Sequence, residues 1–269
     1  MTPSTVAVQA GLRRGWIEFR QTAGSPAELI SWLFMPVIAL VVMYILKDRT
    51  IGGTGFSLGT QAVPGILGTN VVLAALLGLS VALTTDRQTG ALLRAKVVPN
   101  GMLGYVVGKV SGQAALTVAT LVVVLVPAVL VFDGLTVDAV TLLWVLVLGL
   151  LATLPIGALL GALFRDAQTL GFVTLLVMGL AVISGVFYPV TAMPEWLQWV
   201  AQAFPVYWLG LGLRSALLPE AQAVIEIGES WRHLEMIGVL GAWAILGLVL
   251  APIVLRRTTR RATGATVSQ

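Results

Sequence analysis

Four places in the chain carry residue types that could do chemistry. Gly104-Tyr-Val-Val-Gly108-Lys109-Val110-Ser111 holds the glycines, lysine and hydroxyl of a phosphate cradle. Such a loop needs four residues between its glycines and Ser or Thr directly after the lysine. Here three residues separate the glycines and Val110 intervenes, so the chain has no ATP site of its own. Ser111-Gly112-Gln113 is too short to be a nucleotide-sensing signature. An intramembrane serine hydrolase would need a Gly-flanked serine and a histidine at membrane depth. Gly78-Leu-Ser80-Val81 lacks the second glycine, and His233, the single histidine, closes a polar stretch. Asp86 and Asp166 have the type of proton-relay groups, but each stands beside an arginine, Arg87 or Arg165, and reads as a solvated charge. With no cysteine and one histidine, thiolate chemistry and His-rich metal sites are excluded. No catalytic residue and no metal site is expected.

The elements that would position these residues belong in lipid. Of 269 residues, 58% are hydrophobic and 10% charged, against ~25% charged in soluble domains; the mean hydropathy is +0.96. A spanning helix needs about 20 mostly apolar residues. Six segments qualify, at 29–46, 63–83, 106–132, 139–164, 170–187 and 234–255. Pro36, Pro127, Pro155, Gly157 and Gly161 inside them are tolerable where neighbouring helices satisfy the loosened backbone. Gly157-Ala-Leu-Leu-Gly161 has the spacing of a close helix contact; in a chain with 29 glycines it is read as composition. Residues 1–27 contain no signal-peptide core. They read as an amphipathic helix at the membrane surface, with Val8, Leu12, Trp16 and Phe19 on one face and Arg13, Arg14, Glu18 and Arg20 off it.

Placing the N-terminus in the cytoplasm puts twelve of the sixteen Lys and Arg residues inside, leaving Lys47, Arg49, Arg214 and Arg232 outside. That positive-inside bias makes both termini and the loop 86–104 cytoplasmic. The net charge of +4 is explained by these flanking residues without invoking nucleic acid.

Between the fifth and sixth spans, Trp196, Trp199, Phe204, Tyr207 and Trp208 cluster around Pro194 and Pro205. Aromatics favour the membrane interface, and proline suits a first helical turn. Two helices are expected, near 194–203 and 206–218, each too short to span. They would form an outer re-entrant or interfacial hairpin over 188–218, followed by a polar outer loop. Arg214 must reach the interface or pair with an acid, Glu220 or Glu226.

Two stretches carry a family resemblance. Asp86-Arg-Gln-Thr-Gly-Ala-Leu-Leu-Arg-Ala-Lys-Val-Val-Pro99 resembles the loop after the second span in ABC-2 type transporter permeases, with Asp for the common Glu and Gly90-Ala91-Leu92 for Gly-Thr-Leu. The run from Ser184-Gly-Val-Phe-Tyr-Pro through Met193-Pro and Phe204-Pro205 to Leu213-Arg214 is similar to the family's second pattern, with Phe204 for the usual Asn. Span count and termini agree, and within the family the chain looks closest to daunorubicin-resistance-type drug-efflux permeases.

The resemblance implies an all-α integral membrane protein: an N-terminal helical segment, 1–27, then a six-helix transmembrane domain, 28–269. It implies a homodimer of permeases on two copies of a separate ABC ATPase subunit that holds ATP and Mg, in the plasma membrane of a bacterium, surrounded by lipid. The coupling helix would lie in 86–99 and contact the ATPase through Asp86, Arg87, Gly90, Leu92, Leu93, Arg94 and Lys96. Arg13, Arg14, Trp16 and Arg20 mark the interfacial helix. Trp196, Trp199, Tyr207, Trp208 and Arg214 mark the cargo path or outer gate. The cargo expected is hydrophobic or amphiphilic, drug-like; relatives also move lipids and polysaccharides. A polytopic subunit without a transport role and an intramembrane enzyme are the competing readings.

Overall fold

The computed structural model describes residues 3–49, 57–98, 100–164, 167–185 and 189–264. The chain opens with α1 (Pro3–Ala23), α2 (Pro26–Ile45) and α3 (Leu58–Val72). A single π-helical stretch, Leu73–Gly78, joins α3 to α4 (Leu79–Gln88), so these three form one continuous rod. Then come α5 (Ala91–Val97), α6 (Gly101–Val131), α7 (Ala139–Leu163) and α8 (Ala167–Ile183). A hairpin of α9 (Glu195–Ala203) and α10 (Pro205–Leu217) and two short 3₁₀ turns precede α11 (His233–Gly264).

Five of the described helical stretches are long and apolar enough to cross a bilayer: α2, the α3–α4 rod, α6, α7 and residues 233–251 of α11. The sixth expected span corresponds to α8, a shorter apolar helix of 17 residues. The rod and α6 each run 31 residues, about 46 Å at 1.5 Å per residue. That exceeds a ~30 Å hydrocarbon core, so each extends beyond the lipid. The ends of the rod and of α6 are where the charged residues sit.

Helix starts follow local chemistry. Ser25 accepts from the Glu28 N–H ahead of Pro26 at the head of α2. Asp138 accepts from the Val140 and Thr141 N–H groups at the head of α7, satisfying donors that a helix start leaves open. The predicted hairpin helices are present within a residue or two of their expected bounds.

The core gathers around α10. Twelve of its thirteen residues are buried, packed against α3, α7 and α11. Gly68 of α3 meets Gly210 of α10 backbone to backbone. Leu209 fills the space over Gly149 of α7, and Gly212 lies against Val145 and Met236. By contrast, α2 buries only Pro36 and Met43, and α9 leaves Trp196 and Trp199 exposed.

Gly157 and Gly161, read from sequence as composition, are a contact after all. A Cβ on Gly157 would stand 2.5 Å from the Leu76 carbonyl, and one on Gly161 would stand 2.8 Å from the Ser80 carbonyl. Ser80 donates across that contact to the Gly157 carbonyl at 2.8 Å. It is fully buried and holds two helices together, and His233 rests edge-on against Trp144 instead, so the pair has no hydrolase arrangement.

Candidate coupling site and outer cluster

The stretch 86–99 is two elements, not one helix. Asp86, Arg87 and Gln88 complete α4, and Gly90 turns the chain at φ +72° into α5. That left-handed conformation costs glycine little and a side-chain-bearing residue more, which explains Gly90 in the turn.

Three of the seven residues expected on a partner surface point into the protein instead. The Asp86 carboxylate accepts a hydrogen bond from the Tyr105 hydroxyl at 2.8 Å and pairs with Lys109 at 2.9 Å. It is no solvated loop charge. Arg87 donates to the Ala162 carbonyl at 2.9 Å, tying α4 to the end of α7. Leu92 is buried in a small apolar cluster with Leu79, Leu83, Tyr105 and Ala158. The reason is rotational: seven residues of helix with Leu92 inward must turn Leu93, Arg94 and Val97 outward. Leu93 is 54% and Val97 85% exposed, and Arg94 is exposed beside them. The side chain of Lys96 lies outside the described residues, as do Arg165 and Asp166 and the side chains of Arg256, Arg257, Arg260 and Arg261.

α1 docks beside this segment through a face that the sequence reading did not single out. Its buried residues are Gly11 and Gly15, which lie against Gly104, Gly108 and Gly112 of α6. A Cβ on Gly11 would meet the Gly104 carbonyl at 2.4 Å. The apolar stripe expected at the membrane surface is a different face: its Leu12 and Trp16 are about half exposed. Trp16 and Phe19 touch each other at 5.3 Å between ring centres, and Arg13 and Arg20 are exposed. The signal for the true face was in the sequence as glycines four apart, at 11 and 15 and again at 104, 108 and 112.

Charge completes the joint. Arg14 pairs with Glu18 at 3.0 Å, Glu18 with Lys109 at 3.0 Å, and Lys109 with Asp86. Arg14 also lies 5.4 Å from the Tyr105 ring centre. One network therefore links α1, α4 and α6 directly behind α5. Glu18, Tyr105 and Lys109 were not assigned to this site beforehand, because the contacts that join the helices span 19 to 91 residues in sequence.

Halfway up the rod, the Gln113 side chain donates to the Ala74 carbonyl at 2.8 Å, inside the π-helical stretch. A π turn displaces backbone carbonyls from their usual donors, and in lipid a freed carbonyl must find another.

At the opposite end, Arg214 is 4% exposed. It pairs with Glu226 at 2.7 Å and donates to the Gly185 carbonyl at 3.1 Å. Of the two acids expected, Glu226 is the partner; Glu220 accepts from the Trp231 indole. The aromatic group divides. Trp196 and Trp199 are exposed, whereas Tyr207 and Trp208 are buried, edge to face at 5.1 Å. The Trp208 indole donates to the Gln202 carbonyl at 2.7 Å, and Arg232 lies over its ring at 4.9 Å. Gln61 and Gln222 hydrogen-bond each other beneath the outer turns. Among the described residues no cluster of metal-ligating side chains occurs.

A comparison with protein-family models matches the ABC-2 type transporter over residues 7–218, from α1 through α10. The chain belongs to the ABC-2 type transporter family. It is a multi-pass membrane protein and a permease of an ABC transporter, a family of transmembrane components generally not catalytic themselves. A search of curated proteins found no match.

Proposed function

We propose that this permease is the membrane half of an ATP-driven exporter, working as a homodimer on two copies of a separate ATPase subunit that holds ATP and Mg. The observation that carries the reading is α5: a short helix anchored inward by Leu92, presenting Leu93, Arg94 and Val97 outward. An apolar pair with a cation is a surface suited to an acidic cleft of a partner. Behind it, the Asp86–Lys109–Glu18–Arg14 network joins α4, α1 and α6, and α5 packs on α4 and α6, so a push on α5 is passed to the rod and through the network to α1. The cargo in this reading is hydrophobic or amphiphilic, drug-like, moved outward from the cytoplasm or inner leaflet of a bacterial plasma membrane.

Co-expression with a candidate ATPase tests it. Leu93→Asp is expected to abolish co-purification and ATP-dependent uptake into inverted vesicles while the permease still folds. Retention of both would move the docking surface away from α5. The topology, with both termini cytoplasmic, is checked by adding one cysteine to this cysteine-free chain at exposed Thr89 or at exposed Ser230. An impermeant thiol reagent on intact cells should label only the second. Gln222 would be unsuitable, being buried against Gln61.

A further inference from the structure

A cleft lies away from both clusters, between α2 and α6. Its volume is about 620 Å³, and it is lined by Val37, Leu40, Val41, Val123, Pro127 and Leu130 among others. Every lining residue is apolar except at one end, where Tyr44 and Lys47 stand. From Val37 to Tyr44 the helix rises about 10 Å, with Lys47 beyond its end, so the cleft runs along α2 as an alkyl chain would. Pro127 lies in the wall formed by α6, where proline interrupts the helical hydrogen bonding. The walls carry no donor that an embedded polar cargo would need.

The charged end differs from a lysine simply reaching for water. The Lys47 ammonium lies 4.5 Å from the centre of the Tyr44 ring, in the turn just past the end of α2 and beside the cleft. Among the described residues no carboxylate is within ion-pair distance of it; the paired acids are Glu18, Asp86, Glu226 and Glu235. Asp48 and Arg49 follow, and Asp133 follows the lining residue Phe132, all three exposed; of these charges only the Lys47 ammonium lines the cleft. An ammonium held by a ring and lacking a counter-ion at the mouth of a hydrocarbon cleft matches an acyl chain with an anionic head.

We infer that the α2–α6 cleft is a binding site for one chain of an anionic membrane lipid, with its phosphate at Lys47. The occupant comes from the bilayer leaflet on the Lys47 side. The site is independent of the ATPase contact at α5.

The test uses the purified full chain in detergent, titrated with phosphatidylglycerol or with phosphatidylcholine of identical chains, bound lipid being counted by native mass spectrometry. Phosphatidylglycerol should bind several-fold better. Lys47→Gln should erase that preference, and Lys47→Arg should keep it. Leu40→Trp, which fills the cleft, should lower binding of both lipids; exposed Leu130→Trp provides a second filling variant if the first unfolds. An undiminished anionic preference in Lys47→Gln, or undiminished binding in both tryptophan variants, overturns the site. So does efficient oxidative cross-linking of Val41→Cys between two copies in liposomes, which would make the cleft an interface between protomers.

Discussion

The two charged clusters contrast in one respect that governs their roles. At the α5 end, Arg14, Glu18, Lys109 and Asp86 form a chain of pairs whose side chains are 13% to 44% exposed. At the hairpin end, Arg214 and Glu226 are each 4% exposed and sealed within the protein. Water screens the first set, so its links are individually cheap to break and re-form. The second has no water to fall back on, so removing one partner strands a charge. The lesson is a division of labour: an adjustable joint next to the proposed partner surface, and a fixed clasp holding α10 to the outer turns and the end of α8.

Glu226→Gln attacks the clasp and carries the largest expected effect. Stranding Arg214 should cost about 3–5 kcal/mol, read as a large fall in thermal midpoint and in yield of assembled protein. Arg214→Met with Glu226→Leu should recover most of that loss, since the pair's attraction is offset by its desolvation. Equal damage from the double variant would show that the pair itself, not the stranded charge, holds the region.

Gly108→Val comes next and probes the joint's packing. The Gly11 carbonyl already stands 2.9 Å from where a Cβ would be, and overpacking typically costs ~1–3 kcal/mol. α1 should lift from α6, read as faster amide exchange in α1 with α10 unchanged. Exchange rising equally in both would erase the independence of the two ends.

Lys109→Met tests the joint's wiring. Its ammonium bridges two acids with 13% exposure, so stability should fall by only about 1 kcal/mol. Transport per ATP hydrolysed should fall more, if α5 movement passes through this residue. An unchanged ratio would make the network a plain structural brace. Arg14→Gln, at 44% exposure, should change stability by no more than ~1 kcal/mol.

The smallest effect is at Asp138. Hydrogen bonds from the Thr141 hydroxyl and N–H, then Val140, hold its carboxyl below the ordinary value. A depressed folded-state pKa means its contribution is complete at neutral pH. That contribution is lost as pH falls through the ordinary aspartate range and then through the lower folded value. In Asp138→Asn the acid-side loss of helicity at the start of α7 should flatten, while the Arg214–Glu226 clasp is untouched at neutral pH.

Much of the fold was legible along the chain because lipid imposes a simple demand. Each crossing must be a long apolar helix with its backbone bonded internally, and such stretches are contiguous. Proline at 194 and 205 likewise announced the hairpin, since it acts on its own helix start. Even the clasp was half legible: a buried cation demands an acid, and Glu226 was among the two named.

What only the tertiary structure decided is which side of each helix faces inward. Leu92 and Leu93 are adjacent and chemically alike, yet one is buried and the other exposed; in an almost wholly apolar chain no hydrophobic contrast tells the faces apart. The sequence pattern of α1 marked an apolar stripe for the membrane surface but not the face that meets α6, where Gly11 and Gly15 allow the backbones of α1 and α6 to approach. Asp86 found Lys109 and Tyr105 through packing as well. The rod and α6 pack side by side, and that brings the ends of α4 and α6 together. The ion pairs followed from a packing that no local pattern contained.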